Sequence, residues 1–388
     1  MIGHLDGQSF SAVIVGAGPA GASLAIRLAN AGQNVLLLEK SRFPRHKLCG
    51  EFVSPECADH FDELGIASAV KDVSPAEILE TRFYTRSGRS LTIPNKWLSR
   101  SERSAIGVSR FQLDRLLMEQ ARDSGVVLCE LSEALSPIVE MGRLTGLKVR
   151  SESGDVANVR TSVAIDASGR AQSLARHFQP DNSSSRAEVV AFKTHLSNAK
   201  IAKDVCEIYS FRGGYGGCSE VENGRFNLCF VMNSSHVRAI GNDRHAIMEN
   251  GILKNTRAKE VLSDIELSDL WLTVAIPRFG RSNCCPFPGV FAVGDAAGFI
   301  DPFTGSGIAL ALQTAKLCAA SILENGDIRN AELNYRQNYL KAVSQRMRFC
   351  RLIRVISAVP AVADNLIDLL SISPLFGKLV AKATRVGT

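Results

Sequence analysis

Three glycines near the start of the chain have the spacing of a phosphate-binding turn. Gly16, Gly18 and Gly21 follow the apolar run 12–15 and begin a helical pattern. The first glycine permits a tight turn, the second lets the backbone approach a pyrophosphate, and the third lets the helix pack against the strand. The amide groups at the helix N-terminus would face the phosphates. The pattern predicts a βαβ unit that binds a dinucleotide.

Glu39 ends the second strand of this predicted unit, after the apolar run 35–38. A carboxylate at this place can accept both ribose hydroxyls and would repel a 2′-phosphate, which favours FAD or NAD over NADP. The glycine pattern occurs once in the chain. We therefore expect a single dedicated dinucleotide site, with any second nucleotide binding only transiently.

Length and composition indicate a globular protein of two or three domains, with 388 residues of which 45% are hydrophobic. The first apolar run is already the nucleotide-binding strand, and no run of about 18 uncharged apolar residues is present. These features predict a cytoplasmic protein.

The ten cysteines show no C-x-x-C spacing, so we expect reduced, structural cysteines and no metal site. Cys284 and Cys285 could form a redox pair, but packing is the favoured interpretation.

The net charge of +6 lies in the tail, because residues 341–388 contain eight Lys or Arg and two Asp. No aromatic-rich basic groove accompanies these charges, which argues against a nucleic-acid partner. Leu352, Val355, Ile356 and Val359 recur at helical spacing. Two interpretations stay open: helices that cap a substrate cavity, and a peripheral membrane contact assisted by the basic side chains. Either one suggests a hydrophobic substrate.

Local signals organise the middle of the chain. Ser109 is a predicted N-cap for an amphipathic helix that has Arg110 in its first turn. A strand at 126–128 and a meander at 135–163 follow. Asn223-Gly224 predicts a two-residue hairpin turn. The alternating residues after that turn are predicted to form sheet core, and they are Phe226, Leu228, Phe230 and Met232.

Three separated segments together resemble a known superfamily. They are Gly16 to Gly21 with Glu39, Asp166-Ala167-Ser168-Gly169-Arg170 with Ser173, and Gly294-Asp295 followed by Pro302, Gly305 and Gly307. Over about residues 10–345 the chain resembles FAD-dependent enzymes of the glutathione-reductase-like superfamily. The relevant branch holds the geranylgeranyl reductases, aromatic hydroxylases and flavin-dependent halogenases.

The resemblance implies an α/β fold with a Rossmann-like FAD-binding domain that carries a β-meander, and an α+β substrate domain with an antiparallel sheet and C-terminal helices. The FAD-binding domain is predicted at 10–80, 105–178 and 285–340, the substrate-binding domain at 81–104 and 179–284, and a C-terminal helical tail at 341–388. NADH or NADPH is the expected transient electron donor.

The same resemblance implies which residues bind the flavin cofactor. Arg110 matches an arginine near the FAD phosphates, although a solvated surface arginine is the alternative. Asp295 could accept from the ribityl group, and the helix that begins near Gly307 would stabilise negative charge on reduced flavin. The predicted cofactor-binding residues are Gly16, Gly18, Pro19, Ala20, Gly21, Glu39, Lys40, Cys49, Gly50, Arg110, Asp166, Gly169, Gly294, Asp295, Pro302, Gly305, Gly307 and Ile308.

Cys49 and Tyr215 are the candidates for a catalytic role. Residues 43–50 look like the P-R-x-K-x-C-G segment of geranylgeranyl-reductase-like flavoproteins, which passes close to the isoalloxazine. Cys49 could tune the flavin or simply fill space, and Glu51 stands where the family more commonly has a second glycine. Tyr215, within a glycine-rich run, could contact substrate or belong to an ordinary hairpin.

The leading prediction is a geranylgeranyl-reductase-like oxidoreductase, in which reduced flavin transfers hydride to a hydrophobic isoprenoid or polyketide-like molecule. A monooxygenase that hydroxylates an aromatic ring uses the same three motifs. A halogenase is a minor alternative, because residues 271–277 lack the paired tryptophans of W-x-W-x-I-P. A non-catalytic lipid-binding protein like the Rab dissociation inhibitors is another, and the intact cofactor motifs argue against it.

Overall fold

The computed structural model describes residues 2–98, 103–179, 187–276, 279–301, 303 and 305–357, with the backbone alone described at 345 and 349–357. Within these ranges the α-helices are α1 (Pro19–Asn30), α2 (Cys57–Leu64), α3 (Ala67–Asp72), α4 (Arg110–Asp123), α5 (Ser234–Ile240), α6 (Arg244–Asn250), α7 (Thr256–Val261), α8 (Gly307–Glu324) and α9 (Ile328–Ser357).

The strands belong to five sheets in the described residues. In chain order they are β1 (Ala12–Val15), β2 (Val35–Leu38), β3 (Phe52–Val53), β4 (Ala76–Ile78), β5 (Glu80–Tyr84), β6 (Ser90–Pro94), β7 (Ala105–Gly107), β8 (Val127–Cys129), β9 (Ser132–Glu140), β10 (Arg143–Ser151), β11 (Val156–Arg160), β12 (Ala164–Asp166), β13 (Val189–Ser197), β14 (Val205–Phe211), β15 (Gly214–Glu220), β16 (Phe226–Asn233), β17 (Glu266–Ile276), β18 (Gly280–Arg281), β19 (Val290–Ala292) and β20 (Gly298–Phe299).

A parallel sheet with strand order β19-β12-β1-β2-β8 forms the centre of the nucleotide-binding part. Its strands are apolar at every position except Asp166, because both faces are covered. Ile14 packs with α1 and α8 on one face, while Val13 and Val15 pack against the antiparallel meander β9–β11 on the other. This confirms the predicted Rossmann-like unit with its meander.

A seven-stranded sheet, β17-β13-β16-β15-β14-β5-β6, forms the second large layer. One face carries a buried core under α6 and α7 that includes Phe226, Leu228, Phe230 and Met232, as the alternation predicts. The hairpin turn between β15 and β16 has positive φ at both Asn223 and Gly224, the geometry that favours this residue pair. The other face of the sheet is turned towards the parallel sheet.

Helices α8 and α9 pack on the nucleotide-binding part. Helix α8 is long and apolar enough to cross a membrane by composition, but half of it is buried inside the protein. It contacts α1 and α9, so it serves as a core helix.

Helix α9 runs without a break through residue 341. The predicted start of the tail therefore falls inside one helix, because Ala342 and Val343 continue its buried face. Residues 358–388, where the capping or membrane role was predicted, lie outside the described residues.

Gly21 allows a short distance between α1 and the turn after β1. A Cβ atom at this position would lie 1.8 Å from the Gly16 carbonyl oxygen and 3.0 Å from the Ala167 Cβ. We expect Gly21→Ala to push the helix away from the turn and to lower the free energy of unfolding by about 1–3 kcal/mol or more. Urea denaturation of the apoprotein measures this change.

Gly326→Ala is the matched control, because a Cβ atom there meets nothing within 4 Å. The control variant should unfold like the wild type. Wild-type stability and flavin content in the Gly21→Ala protein would contradict the close packing of α1.

Candidate functional site

A cavity of about 890 Å³ lies between the carboxyl ends of the parallel strands and one face of the seven-stranded sheet. Ligands of open α/β sheets bind at this edge of the sheet. At one end the cavity is lined by the turn after β1, and at the other by apolar side chains of β5, β6, β14 and β17. The two ends differ in chemistry and are described separately.

The glycine turn forms the first wall of the cavity. Gly16 has φ +103°, and a Cβ atom there would lie 2.5 Å from the Ala167 carbonyl oxygen. Gly18 precedes Pro19 as the N-cap of α1, and a Cβ atom on it would lie 3.6 Å from the Arg110 guanidinium. The turn therefore places bare backbone, a helix N-terminus and one guanidinium group around a common space, which suits a pyrophosphate.

Glu39 follows β2 and lines the same end of the cavity. Its carboxylate accepts hydrogen bonds from the backbone amides of Ala17, at 2.9 Å, and Ser41, at 3.0 Å. These bonds fix the carboxylate across from the glycine turn. Arg45 also donates to Oε2 at 3.5 Å, and Oε1, which accepts only from Ser41 among the described residues, has a lone pair left for a hydroxyl donor of a ribose.

Arg110 lies in the first turn of α4, which Ser109 caps by accepting a hydrogen bond from the Gln112 amide. The guanidinium donates to buried Asp114 from Nε at 2.6 Å and from Nη2 at 2.7 Å. Burial opposes the charge, but the Asp114 carboxylate outweighs it and raises the pKa of Arg110. Arg45 donates at 3.2 Å to Oδ2 of Asp114, the oxygen that also accepts from Nη2 of Arg110. Arg110 is thus a fixed, permanently charged group beside Gly18 rather than a solvated surface residue.

Arg170 and Asp295 carry polar groups that have no hydrogen-bond partner among the described residues. Nη1 of Arg170 is buried without a hydrogen-bond partner in the described part of the chain. No described residue donates a hydrogen bond to the Asp295 carboxylate either, and burial raises its pKa despite the nearby Arg170. Both residues line the cavity. An unpaired donor and an unpaired acceptor here call for a ligand that has both acceptors and hydroxyl donors.

These groups fit FAD. The glycine turn, the N-terminus of α1 and Arg110 would hold the pyrophosphate, Glu39 the adenosine ribose, and Asp295 with Arg170 the ribityl and ring end. Gly307 and Ile308 at the start of α8 also line the cavity. The positive end of that helix dipole can stabilise negative charge by about 1 kcal/mol.

The loop from residue 45 to residue 51 crosses the middle of the cavity. Cys49 and Gly50 line it, together with His46 and Glu51. The Glu51 side chain is fully buried and forms ion pairs with Lys193 and His195 of β13. The Asn227 amide donates to the Cys49 carbonyl at 3.2 Å. The loop is therefore attached to the seven-stranded sheet by side chains and not only by its own turns.

Tyr215 lies on β15 with its ring at the cavity wall. Its hydroxyl donates to the Asp301 carboxylate, and its ring meets Phe303 edge to face with centroids 5.0 Å apart. The flanking glycines admit close neighbours, since a Cβ on Gly216 would lie 2.4 Å from the Phe230 Cβ. Tyr215 thus sits between an acidic group and an aromatic surface.

The far end of the cavity is apolar. Phe83 stacks on Phe303 at 5.5 Å between ring centroids. We call the group of apolar side chains that line this end the apolar arm, defined by Phe83, Leu91, Ile93, Leu98, Ile208, Val231, Leu272, Ile276, Phe299 and Phe303.

Most of the residues predicted as cofactor-binding line the cavity. These are Gly16, Gly18, Pro19, Ala20, Glu39, Lys40, Cys49, Gly50, Arg110, Gly169, Gly294, Asp295, Gly305, Gly307 and Ile308. Pro302 lies outside the described residues. Gly21 lies behind the turn and packs the helix.

The Asp166 side chain holds the turn that follows β12, and the predicted contact of this residue with the cofactor stays a prediction. Its carboxylate is fully buried and accepts hydrogen bonds from the backbone of Ser168, Leu174 and Ala175 and from the Ser168 hydroxyl. Because these four donors come from the loop that follows β12, the side chain is turned away from the cavity. It shapes that loop, which in turn presents Gly169 and Arg170 to the cavity.

The motif analysis did not find Lys193, His195 or the apolar arm. Lys193 and His195 stand at alternate positions of β13 after the apolar residues 189–192, and ionisable side chains at alternate positions of a strand could have marked them. The arm could not have been found from one segment, because its side chains come from strands far apart in the chain.

Asp295→Asn should raise the dissociation constant of FAD about 10- to 100-fold, because a hydrogen bond to a charged acceptor contributes about 1.5–3 kcal/mol. The same substitution should increase the stability of the apoprotein at pH 7. A raised carboxyl pKa in the folded state means that stability is lost as pH rises through it, so the asparagine variant should be more stable than wild type at pH 7. This difference should shrink towards pH 4.

Flavin titration and denaturation of the apoprotein across this pH range measure both effects. Asp166→Asn is the control: it should lower stability, since its partners are protein amides, and change FAD affinity less. Wild-type FAD affinity in Asp295→Asn would show that the carboxylate does not face the cofactor.

The chain is similar to two curated proteins over most of its length. It is 26% identical to menaquinone reductase of Mycobacterium tuberculosis over 336 residues, which cover 83% of this chain and 78% of that protein. It is also 26% identical to conditioned medium factor receptor 1 of Dictyostelium discoideum over 350 residues. That match covers 82% of this chain and spans 64% of the length of the Dictyostelium protein.

Two solved structures share the fold. The flavin-dependent brominase Bmp2 superposes with a TM-score of 0.82 at 19% identity, covering 97% of this chain and 94% of the brominase. A geranylgeranyl bacteriochlorophyll reductase-like protein of Thermoplasma acidophilum superposes with a TM-score of 0.76 at 22% identity, covering 96% of each chain. The predicted α/β architecture is confirmed by these similarities.

Residues 9–325 match the family described as FAD binding domain. This stretch includes the glycine turn, Glu39, Arg110 and Asp295, so the match and the geometry agree on the same cofactor. The chain belongs to the FAD binding domain family and is an FAD-dependent enzyme.

Proposed function

We propose that this protein is a flavin-dependent reductase that transfers hydride to a hydrophobic molecule of isoprenoid or polyketide-like character. The observation that carries the proposal is the apolar arm, which continues the cofactor cavity beyond the loop at Cys49. The side chains that define it are aliphatic and aromatic, and Tyr215 with Asp301 supplies a polar group at its edge. A long apolar molecule gains about 25 cal/mol for each Å² that it buries in such a space.

The residues of this chain have distinct tasks in the proposed reaction. FAD, when bound and reduced by the nicotinamide donor, would supply the hydride. The loop at Cys49 separates the polar end of the cavity from the apolar arm, and the stacked pair Phe83 and Phe303 excludes water from the arm. The Tyr215 hydroxyl is held by Asp301 at the arm's edge, where it can orient a polar head group of the substrate.

The named relatives support the reductase chemistry. One is called menaquinone reductase and a neighbour in fold is called geranylgeranyl bacteriochlorophyll reductase-like, and both names refer to molecules with isoprenoid parts. NADH or NADPH is the proposed electron donor. A single glycine fingerprint is present in the sequence, so the nicotinamide dinucleotide would bind at the cavity mouth and leave again.

An anaerobic assay with a product mass measurement tests the reaction type. The flavin-loaded protein is reduced with NADH or NADPH and mixed with a polyprenyl quinone, a geranylgeranylated lipid or an aromatic polyketide. We expect the flavin to be reoxidised without oxygen and the product to gain two hydrogens. A product that gains one oxygen, and only after air is admitted, would replace the reductase proposal with the monooxygenase.

Leu91→Glu tests the apolar arm separately. A carboxylate among apolar side chains opposes the binding of an apolar chain, since an unpaired buried charge costs several kcal/mol. We expect KM for the hydrophobic substrate to rise at least tenfold, while the rate of flavin reduction by the nicotinamide donor stays near the wild-type value. Stopped-flow reduction and steady-state kinetics give the two numbers. Leu91→Met is the size-matched control, and equal KM values for all three proteins would remove the arm from the substrate site.

A further inference from the structure

Glu51 has a backbone conformation that is unusual for its residue type. Its φ of +53° lies in the left-handed region, where glycine is the ordinary residue. A side chain at such a position costs roughly 1–2 kcal/mol. The strain persists only where surrounding contacts over-determine it, so the contacts of this side chain indicate why glutamate stands here.

The Glu51 carboxylate joins three segments of the chain. One oxygen accepts from the Lys193 ammonium and from the Arg110 backbone amide at 2.8 Å. The other lies 2.6 Å from Nε2 of His195. The exposed fractions are 0% for Glu51, 1% for Lys193 and 3% for His195. We call Glu51, Lys193 and His195 the buried ionic cluster.

The position of the cluster follows from strand periodicity. Ala191, Lys193 and His195 share one face of β13, because alternate residues of a strand point the same way. Ala191 lines the cavity. The opposite face carries Phe192, which belongs to the core of the seven-stranded sheet. The strand that lines the cavity therefore also holds Glu51.

Further contacts of the same sheet reach the loop backbone. The Lys193 ammonium donates to the Lys47 carbonyl at 3.1 Å, and Asn227, on the neighbouring strand β16, donates to the Cys49 carbonyl at 3.2 Å. The loop is thus held at Lys47, Cys49 and Glu51, on both sides of Gly50. None of these bonds involves a neighbour in sequence, so the loop conformation depends on the sheet.

Burial makes the cluster sensitive to the loss of one member. Burial alone would raise the pKa of Glu51, but the hydrogen bond from His195 and the charge of Lys193 outweigh it and keep the pKa below its usual value. Removing one partner leaves an uncompensated buried charge, whereas neutralising both partners can restore stability. A cluster that serves only folding should lose no function once both partners are neutral. A cluster that positions the loop should regain stability in that case but not the loop position.

We propose that Glu51, Lys193 and His195 are positioning residues that hold residues 46–51, and with them Cys49, over the flavin end of the cavity from the substrate-side sheet. The inference rests on FAD binding and not on the identity of the substrate. The proposal is tested by measurements on the flavin and the loop, so it can be tested even if the reductase assay fails.

The experiment compares wild type with Glu51→Gln and with Glu51→Gln/Lys193→Met. Three quantities are measured: the melting temperature of the apoprotein, the visible absorption band of bound FAD, and tryptic cleavage after Arg45 and Lys47 in the holoprotein, located by mass spectrometry. We expect the single variant to melt lower, to shift the flavin band and to be cleaved at least tenfold faster in the loop. We expect the double variant to recover its melting temperature but to keep the altered band and the fast loop cleavage.

Glu207→Gln is the matched control. Glu207 is a buried glutamate of the same sheet, paired with Arg257 at 2.9 Å on the face away from the cavity. This variant should melt lower without changing the flavin band or the loop cleavage. Recovery of all three quantities in the double variant, or wild-type loop cleavage and flavin spectrum in Glu51→Gln, would overturn the proposal and leave the cluster a purely structural role.

Discussion

The site depends on buried ion pairs at the two ends of one loop. Arg45 binds Asp114 at the start of the loop, and Glu51 binds Lys193 and His195 at its end. Charges in such places are tolerated only where each one meets an opposite charge in good geometry. The loop therefore has little freedom in its path across the cavity, because any other path would leave a buried charge unpaired.

The two sheets line different parts of the cavity. The parallel sheet is covered on both faces and presents only its strand ends to the cavity, where backbone amides and fixed carboxylates line the end that fits FAD. The seven-stranded sheet has one face in its own core and the other open to the cavity, so its alternate side chains form the apolar arm. A polar end and an apolar end of one cavity follow from this arrangement in the described residues.

Local patterns predicted the parts of the site that a short segment determines. The glycine turn with Glu39, the Ser109 cap and the turn at Asn223 each depend on backbone geometry within a few residues, and each stands as predicted. The predicted cofactor contact of Asp166 stays a prediction, and its motif is compatible with two orientations of the carboxylate. Four donors in the following loop decide between them.

The sequence by itself determined the dinucleotide unit and the α/β class, because glycine spacing and hydrophobic period act over short distances. From the residues alone the cofactor was FAD or NAD, and the resemblance of three separated motifs to a flavoprotein superfamily implied FAD. Only the tertiary structure decided that Glu51, a departure from the usual glycine, meets a lysine and a histidine more than 140 residues away. It likewise decided that side chains from β5, β6, β14 and β17 share one apolar space. Such contacts arise from the packing of one sheet against another, and no local pattern encodes which distant side chains will meet.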